Sequence, residues 1–78
     1  MTRPLYEIAS EIIGDWPKAN NTYHPAGAYL IPMLSLNSIQ DKYGWDDGKS
    51  IVRYFLSNAT TWRGDSARRI KAELKSML

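Results

Sequence analysis

Five of the ten basic residues in this 78-residue chain fall between Arg63 and Lys75. Arg63, Arg68, Arg69, Lys71 and Lys75 carry side chains that contact phosphates or carboxylates. Trp62 precedes Arg63, giving an aromatic–Arg pair of the kind enriched at binding hot spots. Bond-breaking chemistry has weaker support. His24 is the single histidine. It sits between Tyr23 and Pro25, and no motif brings the partner that a general base needs. It reads as a loop histidine. Glu7, Glu11 and Asp15 are spaced i, i+4, i+8, along one helix face. A carboxylate pair does acid–base work only when burial or a neighbour moves its pKa. A solvated stripe, or one facing the basic last helix, is the simpler reading. Asp41, Asp46 and Asp47 with Gly44 and Gly48 faintly resemble a calcium loop. Lys42, Tyr43, Gly44 and Trp45 stand where alternating oxygen ligands would be needed, so helix capping explains the adjacent aspartates better. The serines lack a Gly-x-Ser-x-Gly setting, and there is no Gly-rich phosphate loop. No catalytic residue, metal site or cofactor is expected, and the chain does not read as an enzyme.

The elements that position these groups must come from one small domain, residues 1–78. There is no cysteine, so neither a disulfide nor a thiolate metal site can form. Stability must come from packing of three Trp, five Tyr and one Phe with the aliphatic residues. Residues 63–78 carry +3 and residues 1–62 carry −1, an asymmetry that permits an acidic partner. The segment Met1-Thr2-Arg3-Pro4-Leu5 lacks the apolar stretch of a signal peptide. No run of 18 apolar residues is present, so the cytoplasm is the expected setting and no membrane contact is expected.

The fold class is all-α: a compact bundle of four short helices at about 4–15, 28–43, 47–58 and 62–77. In the first, Leu5, Ile8, Ala9, Ile12, Ile13 and Trp16 recur at helical spacing, with Thr2 as a cap. Residues 17–27 are a loop. The second begins near Ala28, with Leu30, Met33, Leu34, Leu36, Ile39 and Tyr43 as its apolar side. Pro32 either kinks it or lies close to its start, and Gly44 stops it. Asp46 or Asp47 caps the third, which buries Ile51, Val52, Phe55, Leu56 and Ala59. The fourth buries Ala67, Ile70, Leu74, Met77 and Leu78, and Asp65 pairs with Arg69 at i, i+4. Trp62 is expected to anchor the last helix to the core, because a small core needs large residues. Trp16 and Trp45, both at helix ends, are read the same way.

One wider pattern spans nearly the whole chain. It comprises Leu5…Ile8-Ala9-x-Glu11-Ile12, Asp15-Trp16, Ala28-Tyr29-Leu30…Met33, Leu36-Asn37-Ser38-Ile39, and Tyr54-Phe55-Leu56-x-Asn58-Ala59…Trp62-Arg63-Gly64…Ala67-Arg68…Lys71-x-Glu73-Leu74-Lys75. The pattern resembles a group of small uncharacterised proteins encoded by phages and prophages of Gram-positive bacteria. The resemblance implies a phage-derived accessory protein with a host or phage protein as partner. It carries over no catalytic or binding residue.

The expected function is therefore a non-enzymatic protein-interaction module, with self-association as one form of it. Its surface would comprise Trp62, Arg63, Arg68, Arg69, Lys71 and Lys75. The alternative is nucleic-acid binding, since the third helix, the turn and the fourth helix have the helix-turn-helix layout. Against it, Asp65 stands where bases would be read, and Glu73 interrupts the positive charge.

Overall fold

Leu5, Ile8, Ala9 and Ile12 lie three or four residues apart. In the computed structural model, which describes residues 3–78, they form the buried stripe of helix α1 (Leu5–Asp15). Its free first-turn amides need acceptors. Pro4 offers no capping side chain. Instead the amides of Leu5 and Tyr6 donate to the carbonyls of Asn37 and Leu36 at 3.0 and 2.9 Å. The helix start is thus capped by a distant loop. Thr2, the expected cap, lies outside the described residues. Pro17 ends the helical path, and Pro17–Ala19 make one 3-10 turn.

Helix α2 covers Gly27–Met33, not the expected 28–43. Pro32 lies inside it and has no N–H to give. Beyond it the turns tighten. The amides of Leu34, Ser35 and Leu36 donate to carbonyls three residues back, at 3.1, 3.0 and 3.1 Å, and the helix stops. Asp41 then clasps the following turn, its Oδ2 accepting from the amides of Asn37 (2.8 Å) and Ser38 (3.2 Å).

The second correction concerns Lys42–Tyr43 (β1) and Asp46–Asp47 (β2). They pair antiparallel, Lys42 opposite Asp47 and Tyr43 opposite Asp46. The molecule is therefore mostly helical with a small hairpin, not purely α. Gly44 has φ +63°, while among the described residues none other than glycine has positive φ. A glycine at the first of two turn positions, followed by an ordinary residue, is the type II′ pattern that suits a hairpin.

Helix α3 (Gly48–Ser57) starts as expected: the Asp47 Oδ1 accepts from the Ser50 amide at 2.7 Å. Ile51, Val52 and Phe55 face inward, with Leu56 half-buried and Ala59 buried beyond the helix end. Helix α4 spans Asp65–Ser76, starting three residues later than expected. Ala67, Ile70 and Leu74 are buried and half-buried Met77 packs against the core, whereas Leu78, expected inside, is exposed. α3 packs chiefly on α2, and α4 on α1. One apolar cluster joins all four helices, with Leu36, Ala59 and Trp62 added from the connections. Among the described residues, no helix is long and apolar enough to cross a membrane.

Candidate functional site

The connection from α3 to α4 turns at Ala59, whose carbonyl accepts from the Trp62 amide at 3.1 Å. That turn points the indole inward, and Trp62 is 3% exposed. Its ring stacks on Trp16 at 5.7 Å between centroids with planes 1° apart. Phe55 meets it edge-on at 6.3 Å. The Trp62 Nε1–H donates to Asp15 Oδ2 at 2.8 Å, so the one polar atom of a nearly dry ring is satisfied. Lys71 comes from α4 to the same place. Its Nζ donates to the Trp62 carbonyl at 2.6 Å and lies 5.8 Å from the ring centroid, within cation–π range.

Beside this anchor lies a shallow groove of about 280 Å³, lined by Trp62, Arg63, Gly64, Ala67, Arg68 and Lys71. Buried Trp62 and Ala67 form its floor, exposed Arg63, Gly64 and Arg68 its rim, and half-buried Lys71 its back wall. Burial pushes the Lys71 ammonium below the usual lysine range, and the neighbouring Lys75 and Arg63 charges push the same way. The groove therefore gathers positive charge against a partly desolvated wall. The Arg68 guanidinium meets Asp65 at 3.3 Å, but both side chains are largely in solvent, where such a pair contributes little. Among the described residues, no ion pair engages Arg63 or Lys75.

Four of the six residues expected at the surface thus line one groove. The other two do not. Lys75 is exposed one turn further along α4, outside the lining. Arg69 faces α1, where it pairs with Glu11. That pairing displaces the expected Asp65–Arg69 contact, and Asp65 takes Arg68 instead. Glu11 also meets Arg3 at 2.8 Å, and Arg3 bonds Glu73 through Nε and Nη2 at 2.9 and 2.7 Å. Arg69 and then Arg3 hold the Glu11 carboxyl below its ordinary range, and Arg3 does the same to Glu73. The Glu73 and Glu11 carboxylates in turn raise Arg3, against the opposing effect of burial. This network ties the N-terminal segment, α1 and α4 together, so Arg69 serves the fold.

The acidic stripe of α1 divides three ways: Glu7 is exposed, Glu11 binds Arg3 and Arg69, and Asp15 receives the Trp62 indole. His24 Nδ1 accepts from the Ala26 amide at 3.1 Å, and its ring meets Trp16 edge-on at 5.0 Å, which staples the loop before α2. Asp41 and Asp47 direct carboxylate oxygens to backbone amides. Among the described residues, no three His, Asp or Glu side chains gather as metal ligands would. A second cavity of about 260 Å³, beside Arg3, Asn37, Ile39 and Met77, has its one charged group committed to Glu73 and Glu11.

Trp45 corrects the expectation of a core anchor. It is 102% exposed at the hairpin tip, beside Tyr43 at 47%. The available signal was Gly44 placed first in a two-residue turn between Tyr43 and Asp46. A glycine serves a helix stop equally well, so this signal does not by itself separate the two. No family model, curated protein or solved structure matches the chain.

Proposed function

We propose that the chain is a small non-enzymatic protein-interaction module whose contact surface is the groove at the α3–α4 connection. One observation carries this reading. Arg63, Arg68 and Lys71 gather around an apolar floor, and the carboxylate paired there, Asp65, is almost wholly in solvent. Such a surface fits an acidic segment that brings one apolar or aromatic side chain. Nucleic acid fits less well. Asp65 opens α4, Arg69 is drawn to Glu11, and α3 and α4 pack on different helices rather than as a tight reading unit. The resemblance carried by Asn58-Ala59…Trp62-Arg63-Gly64 supports a phage-derived accessory protein acting in a bacterial cytoplasm.

The test compares the wild-type chain with an Arg63→Glu/Arg68→Glu variant. Each is immobilised and exposed to lysate of a Gram-positive bacterium at about 0.15 M salt, where weak surface electrostatics are already screened. Acidic proteins retained by the wild type and lost from the variant are expected. A labelled DNA duplex, offered in parallel, is expected not to bind. Equal retention by both chains would overturn the reading, as would duplex binding that falls steeply with salt.

A further inference from the structure

The hairpin and the groove sit at opposite ends of α3, a ten-residue helix and so about 15 Å long. The hairpin enters its N-terminus, and the Trp62 connection leaves its C-terminus. Trp45 is fully exposed, so within one copy the tip and the groove do not meet. Their chemistry is nonetheless matched. The tip segment, residues 41–47, carries Asp41, Asp46 and Asp47 against Lys42 alone, a net −2. It also presents Trp45 and Tyr43 to solvent. The groove offers three cations and an apolar floor. A large exposed aromatic on a turn is the residue type that anchors interfaces, and complementary potentials set which partner it meets.

We propose that the groove's occupant is a second copy of this chain. Trp45 of one copy seats on the floor formed by Trp62 and Ala67 of the next, and Asp46 meets Arg63 and Lys71. This proposal rests on the groove reading above. Because tip and groove are different surfaces, the contact is head-to-tail. Each copy added leaves one tip and one groove free, which gives open chains or rings. The area is small, so the contact is weak and reversible.

The test is sedimentation of the full chain between about 10 µM and about 1 mM, the range in which contacts of this strength appear. The wild type is expected to grow in mass with concentration, less so at high salt. Trp45→Ala is expected to weaken association roughly thirtyfold, the size of a hot-spot truncation. Arg63→Glu/Arg68→Glu is expected to do the same. Both variants change exposed side chains, and unaltered circular dichroism would establish that they fold. The deciding measurement mixes the two. The tip variant keeps its groove and the groove variant keeps its tip, so the mixture is expected to form a 1:1 dimer and stop there. A wild type that stays monomeric overturns the proposal, as does association untouched by Trp45→Ala or a mixture that stays monomeric. Groove-dependent capture of lysate protein by a monomeric chain would overturn this pairing and leave the groove reading standing. Loss of both would remove the two together.

Discussion

The bond from Trp62 Nε1–H to Asp15 Oδ2, at 2.8 Å, joins the end of α1 to the floor of the groove, and its strength can be measured directly. A hydrogen bond to a charged acceptor contributes about 1.5–3 kcal/mol. Here the indole is nearly dry, but Asp15 is exposed, so water competes at one end and the low end of that range applies. Asp15→Ala should cost about 1.5 kcal/mol, and Asp15→Asn, which keeps an acceptor oxygen, less than about 1. Trp62→Phe should cost about 2–3 kcal/mol, from the lost bond and the smaller buried ring. Because the bond couples the two residues, the double variant should be milder than the sum by about 1–1.5 kcal/mol. For a domain of this size each kcal/mol moves Tm by about 4–8 °C. Urea unfolding followed by far-ultraviolet circular dichroism reads the cycle without relying on the altered tryptophans. Additivity within about 0.3 kcal/mol would refute the coupling between Asp15 and the indole that floors the groove.

Two further outcomes are expected. Gly27→Ala would place a Cβ 2.0 Å from the Asn21 carbonyl oxygen and 2.4 Å from that of Ala19. Both atoms are backbone, so the variant should lose at least about 3 kcal/mol in a denaturant melt or fail to fold. Glu11 and Glu73 are held below their ordinary range by Arg69 and Arg3. Their contribution is therefore complete above the unfolded pKa of about 4.3 and fades as pH falls through the lowered folded values. Thermal melts from neutral to acid pH should show that loss, and Arg3→Ala should shrink it. Parallel acid profiles for the two proteins would contradict the network.

Where burial follows one helix face, the sequence was informative. Leu5, Ile8, Ala9 and Ile12 on α1, and Ile51, Val52 and Phe55 on α3, are buried as their spacing implies. Trp62 is likewise the core anchor that a small domain needs. Leu34, Leu36, Ile39 and Tyr43 continue an apolar series past Pro32, so spacing alone carries the second helix beyond its end at Met33. The missing proline amide ends the helix, and those side chains then go separate ways: Leu36 inward, Leu34 and Tyr43 outward. A two-residue strand has no alternation to read, so only Gly44 could signal the hairpin. Arg69 and Glu11 are 58 positions apart, and nothing local distinguishes Arg69 from Arg68. The packing of α4 on α1 decides that one cation joins the fold while its neighbour lines the groove.

The most direct measurement is an amide and indole NMR titration of the labelled Trp45→Ala chain, which keeps its groove, with the unlabelled Arg63→Glu/Arg68→Glu chain, which keeps its tip. Shifts confined to Arg63, Gly64, Ala67, Arg68, Lys71 and the Trp62 indole N–H are the predicted result. Unlabelled Trp45→Ala chain added in its place should leave those signals still. An unchanged spectrum, or shifts centred away from the α3–α4 connection, would contradict the account.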